Sequence, residues 1–152
     1  MKPETEAWIS VAEVDIRTAH RLVAPPDPIP ESACYHAQQC IEKYLKATLE
    51  EAGRPVPRTH DLGRLLLLTD DLLPELASAW PAIEEIMPYV VTLRYPHDPM
   101  ELGDMTEEAE QAVATMTSAR SVVRAALGMT GDMSPREGHI CGEPENSIHE
   151  DS

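Results

Sequence analysis

Apolar side chains return at every third or fourth position along most of this chain, and prolines and glycines interrupt the pattern at its edges. That period belongs to the α-helix, in which residues i, i+3, i+4 and i+7 share a face. The clearest stretch runs from about Glu31 to Ala52, closed by Gly53, with Ala33, Ala37, Ile41, Tyr44, Leu45 and Thr48 on one side. A helix predicted from about Thr5 to Val23 gathers Trp8, Ala12, Ile16, Ala19 and Val23. Pro25, Pro26, Pro28 and Pro30 then stop it and stiffen the linker. A third helix is expected from near His60-Asp61, carrying Leu62, Leu65, Leu66 and Leu68, with a break at Pro74 and a short helix on to Trp80. A fourth spans about Pro81 to Leu93 with a kink at Pro88, and Pro96 and Pro99 break the chain after it. The fifth, from about Thr106 to Leu127, lines up Ala109, Ala112, Val113, Met116, Ala119, Val123 and Ala126 before Gly128.

Aromatic residues make up only 4% of the 152 residues and Phe is absent, so a core must be built from Leu, Ile, Val, Ala and Met. Such a palette suits packed helices better than a β-sandwich. The expected fold is an all-α, antiparallel up-and-down bundle of about five helices over residues 1–128. From Met129 to Ser152 the apolar period is lost and Gly, Pro, Ser and acidic residues dominate, which predicts a disordered acidic tail.

Charge and cysteine usage narrow the function classes. The formal net charge of −15 disfavours broad electrostatic binding to nucleic acid, although a local basic pocket is compatible with it. Cys34, Cys40 and Cys141 show no metal-ligand or disulfide spacing, and neither a metal nor another cofactor is implied. The N-terminal MKPETEAW lacks the apolar run expected of a signal peptide, and no apolar run is long enough to span a membrane. A cytoplasmic setting is expected.

Candidate chemistry gathers at three places. On the second helix, His36, Gln39, Lys43 and Lys46 fall in one narrow sector opposite the apolar face, a pattern able to hold a phosphate or another polar ligand. An ordinary solvated helix face would show the same pattern, and is the simpler reading. On the first helix, Asp15 falls among residues expected to be buried, where a carboxylate needs a partner. It either orients a Lys or Arg of a site or ties the helix to another element. In the fourth region, Arg94-Tyr95-Pro96 sits where helix gives way, with His97 next, and could present a bidentate phosphate ligand. His60 and Asp61 are read as structural polar residues at a helix start. There is no GxSxG motif and no glycine-rich phosphate loop.

Taken in order, Trp8, Ala12, Asp15-Ile16 and Ala19, the block Ala33-Cys34-Tyr35-His36-Ala37-Gln38-Gln39-Cys40-Ile41-Glu42-Lys43-Tyr44-Leu45-Lys46-Ala47, then Gly53, His60-Asp61-Leu62 and Arg94-Tyr95-Pro96 resemble a HEPN domain, the higher eukaryotes and prokaryotes nucleotide-binding family. The resemblance covers roughly Glu6 to Leu127. It implies a helical bundle that often forms a homodimer and, in prokaryotes, is commonly encoded beside a minimal nucleotidyltransferase, some pairs acting as toxin and antitoxin. Many members are metal-independent RNases with an Arg and a His separated by four to six residues. Here His97 follows Arg94 with only two residues between, and the formal match of Arg54 with His60 lies in a proline-containing loop.

Three functions follow from this reading. The first is a binding domain partnered with a nucleotidyltransferase, with His36, Gln39, Lys43, Lys46, Arg94 and Tyr95 holding a nucleotide. The second is an RNase toxin in which Arg94 and His97 act on RNA. The third is a non-catalytic helical adaptor.

Overall fold

A computed structural model of the chain describes residues 1–86 and 104–129. The expected kink at Pro88, the Arg94-Tyr95-Pro96-His97 segment and the chain from residue 130 onward lie outside the described residues. Helix α1 spans Pro3–Val23, α2 Pro30–Glu51 and α3 Leu62–Thr69. A 3-10 turn at Pro74–Ala79 leads into α4, residues 80–86, and α5 spans Thr106–Ala126. Among the described residues there is no strand, and the architecture is the all-α bundle expected.

Prolines open these helices as well as ending them. Pro3, Pro30 and Pro74 each occupy the first helical turn, where the missing N–H would have had no intrahelical partner. Pro30, expected in the linker, is therefore the first residue of α2. Asp61 caps α3, its carboxylate accepting from the Arg64 N–H at 3.3 Å. Two glycines close the long helices. Gly53 and Gly128 take φ values of 70° and 72°, open to glycine without steric cost. Around each, the same two bonds form: Gly53 N to Glu50 O with Arg54 N to Leu49 O, and Gly128 N to Ala125 O with Met129 N to Arg124 O. Met129, first residue of the expected tail, belongs to that cap and packs against the core.

Helix α2 is the centre of the molecule. It carries α1, α3 and α5, and none of its residues is exposed. α1 runs antiparallel to it: the Lys2 ammonium donates to the Glu50 carbonyl at 3.2 Å, joining the start of one helix to the end of the other. Ile9, Ala12, Ile16 and Ala19 of α1 and Ala112, Met116, Ala119 and Val123 of α5 close over Ala37, Ile41, Leu45 and Leu49. Small alanines at these contacts let the helix axes approach closely. Two stripe assignments change. On α3, Thr69 is buried and Leu68 is exposed, because 62, 65, 66 and 69 share the inner face. The Thr69 hydroxyl is satisfied by donating to the Leu65 carbonyl at 2.8 Å. On α5, Ala126 is exposed.

Candidate functional site

Two residues on a helix differ by about 200° of rotation, so Glu13 and Asp15 leave α1 on opposite flanks of its contact with α2. On one flank Asp15, 6% exposed, accepts from the Lys43 ammonium and meets His36 Nδ1 at 2.9 Å. An ionised carboxylate only accepts, so Nδ1 carries the proton there and Nε2 is the nitrogen left for a ligand. Next to this group on α2, buried Glu42 accepts from Lys46 Nζ at 2.9 Å and meets His60 Nδ1 at 3.0 Å. The His60 side chain is 57% exposed, an accessible imidazole with a buried carboxylate behind it. Lys46 Nζ also lies 5.4 Å from the Trp8 ring centre, within cation–π range. Gln39 donates to Gln38 Oε1 at 2.8 Å, and Gln38 Nε2 donates to the His60 carbonyl at 3.4 Å.

The other flank faces α5. Arg120 grips Glu13 with two bonds, Nε to Oε1 at 2.8 Å and Nη2 to Oε2 at 3.1 Å. The Tyr44 hydroxyl donates to the same carboxylate, and Arg124 stands 3.6 Å away. Burial pulls the Glu13 carboxyl upward, but the bonds from Arg120 and Tyr44 outweigh it and hold it below its ordinary value. Burial, and then the bond to Glu13, push the Tyr44 phenol up. Around the α1–α2 contact, Lys43, Lys46, Arg120 and Arg124 therefore face Asp15, Glu13 and Glu42. Cations outnumber carboxylates here, against the acidic balance of the whole chain.

The HEPN domain family model matches residues 5–126. The chain belongs to the HEPN domain family. No curated protein and no solved structure matches it. HEPN domains are of nucleotide- or RNA-binding or RNase type, so the relevant chemistry is that of phosphates and bases.

The HEPN fold places the sequence-predicted residues unevenly. His36, Gln39, Lys43 and Lys46 do share one side of α2, but not as a solvated face. Gln39 and Lys46 are buried and His36 and Lys43 half-buried, because α2 is the helix on which the others pack. Asp15 joins this set through Lys43 and His36, and His60 through Glu42. Arg94, Tyr95 and His97 lie outside the described residues. Arg54 is held by Asp71 in two bonds of 2.8 and 2.6 Å, away from His60. Sequence reasoning missed Glu13, Glu42 and Arg120. Among the described residues no His, Cys, Asp and Glu cluster is arranged for a metal ion. Burial pushes the Cys34 thiol up to about 11, and burial raises Cys40 as well, so neither provides a thiolate. Two surface hollows, one beside Ile86 and Gln111 and one beside Leu72 and Val122, include none of the site residues in their walls. No described helix is long and apolar enough to cross a membrane.

Proposed function

We propose that this HEPN domain binds a nucleotide against the side of α2 that carries His36, Gln39, Lys43 and Lys46, and acts in the cytoplasm beside a minimal nucleotidyltransferase in a toxin–antitoxin-like pair. One observation carries the reading: the row His36, Gln39, Lys43 and Lys46, flanked by the Trp8 ring and the accessible His60 imidazole. Each lysine has three N–H donors and gives one to a carboxylate, which leaves donors for phosphate oxygens. Half-buried Trp8 offers an aromatic face to a base. Arg94 and Tyr95 complete the proposed ligand set as further phosphate and base contacts. Isothermal titration with ATP and GTP tests it. Heat of binding is expected for the wild type and a clear loss of affinity for Lys43→Gln; absence of heat at millimolar ligand overturns the nucleotide reading. Co-purification with a nucleotidyltransferase encoded next door tests the partnership separately.

One observation favours a second reading, a metal-independent RNase. His36 and His60 are each held at Nδ1 by a buried carboxylate, the arrangement that orients an imidazole for general acid–base work. In this reading Arg94 stabilises the charged phosphate and His97 or His60 moves the proton. Cleavage of RNA in the presence of chelator, lost in His97→Ala or in His60→Ala, supports it; no cleavage by the wild type rejects it.

A further inference from the structure

Asp15 and Glu42 build the same small unit twice. Each is a buried carboxylate that holds one lysine and one histidine. Asp15 takes Lys43 and His36 Nδ1, and Glu42 takes Lys46 and His60 Nδ1. Both carboxylates are buried, His36 is half-buried and His60 is exposed. Each unit keeps its negative charge inside and turns an imidazole edge to water.

The surplus of cations around the α1–α2 contact does not belong to these units. Arg120 and Arg124 of α5 both face Glu13, on the other flank of α1. Beside the two histidines, the ammonium groups of Lys43 and Lys46 meet the carboxylates of Asp15 and Glu42, and those four charges cancel. A phosphate arriving there finds lysine donors but no net positive charge from the pairs.

The rings decide what charge can be added. Nδ1 of each donates to its carboxylate, so a neutral ring has only a lone pair at Nε2. A lone pair repels a phosphate oxygen. With a proton from solvent, the same Nε2 becomes a charge-assisted donor to that oxygen. The groups that face His36 are Asp15 of α1 and Lys43 and Tyr35 of its own helix. Those that face His60 are Glu42 and Lys46 of α2. Asp61 follows it in the chain and is bonded to the Arg64 N–H of α3.

We infer that this side of α2 binds phosphate groups together with protons, which His36 and His60 take up at Nε2. The inference rests on the nucleotide reading above and adds the charge state in which the site works. The lysines supply fixed donors, and the histidines supply positive charge only when an anion is present to receive it.

Isothermal titration of the full chain with ATP at about pH 7.5, in two buffers of different ionisation enthalpy, counts the protons; at that pH the phosphates themselves are largely ionised. A net uptake of about one proton per ATP or more is expected, with each histidine able to contribute one. Affinity should fall as pH rises from about 6 to 8, by up to about tenfold per pH unit for each proton taken up. His36→Gln and His60→Gln should each remove about half of the uptake, with helix content by circular dichroism unchanged because both rings reach the surface. Asp15→Asn lets an amide donate to His36 Nδ1, so the neutral ring carries its proton at Nε2. That variant should bind ATP with about half the uptake. Nitrogen NMR of the rings should show Nε2 of His36 and His60 protonated at saturating ATP. Heat of binding without proton uptake overturns the inference and leaves the nucleotide reading standing. So does uptake that survives both histidine substitutions, or an affinity that rises with pH. Absence of heat at both pH 6 and pH 7.5 overturns the two together.

Discussion

Glu13 and Asp15 stand two residues apart on one helix and have opposite surroundings. Glu13 faces α5, where a bidentate guanidinium and a phenol hydroxyl occupy it and a second arginine stands near. Asp15 faces the other way, toward one lysine and one histidine of α2 that are 18% and 30% exposed. The first carboxylate is consumed by tying three helices together. The second holds two groups that retain donors or a free ring nitrogen at the surface. The contrast separates a structural cluster from a site on the same helix, and it rests on which neighbour each flank meets.

The sharpest way to break this contrast is to remove the guanidinium. Arg120→Ala leaves a half-buried carboxylate with the Tyr44 hydroxyl and Arg124 at 3.6 Å. Losing one member of a buried pair costs about 3–5 kcal/mol, and the 28% exposure of Glu13 reduces that to about 2–3 kcal/mol. Urea unfolding measures it, and nucleotide affinity should stay within a factor of about two, below 0.5 kcal/mol. On the opposite flank, Asp15→Asn keeps the shape and an acceptor but frees Lys43 from its counter-charge. The expected cost is smaller, about 1–2 kcal/mol for a hydrogen bond to a charged group with partly exposed partners. Phosphate binding should tighten, because an anion no longer competes with Asp15. If Asp15→Asn proves the more costly variant and affinity falls, the two flanks do not differ as described.

The sequence reveals the helices more readily than the charged pairs. The period between Pro30 and Gly53 was enough to identify α2, and Asp15 stood out as a carboxylate among apolar neighbours. The missed residues carry the same signal in weaker form. Glu13 lies four after Ile9 and three before Ile16, Arg120 four after Met116 and three before Val123, and Glu42 three before Leu45. Each is a charge on a core stripe. What periodicity lacks is the pairing: that Arg120 reaches Glu13, 107 positions away, follows from how α5 packs on α1 and α2. The stripe His36, Gln39, Lys43 and Lys46 was visible as a sector, but its burial was not, because burial depends on α2 being covered from several sides. Leu68 is placed on the inner face by its polarity, whereas register puts Thr69 there instead.

Acid sharpens the comparison with a smaller effect. Glu13 has its folded pKa depressed below the ordinary 4.5, since the bonds from Arg120 and Tyr44 outweigh burial. The stability it contributes is therefore fully present above about pH 4.5 and is lost as pH falls through the depressed folded value. Glu51, Asp71 and Asp104 are also held low by hydrogen bonds and contribute in the same direction. Subtracting the unfolding free energy of Glu13→Gln from that of the wild type at each pH isolates the Glu13 part. The difference should be constant above pH 4.5 and shrink below it. A difference independent of pH down to 3 would mean that Glu13 is not charge-paired in the folded protein.

The weakest expected effect belongs to a pair whose geometry is as good as that of Glu13 and Arg120. Arg54 holds Asp71 in two bonds and also donates to the Leu68 carbonyl at 3.2 Å, yet both side chains are exposed. Water solvates the separated charges almost as well as they solvate each other, so good geometry gains little there. Arg54→Ala should leave the urea midpoint nearly unchanged and should spare any RNA cleavage, since Arg54 points to Asp71 and not to His60. A loss from Arg54→Ala comparable to that from Arg120→Ala would show that geometry, and not burial on the α5 flank, sets the strength of these pairs.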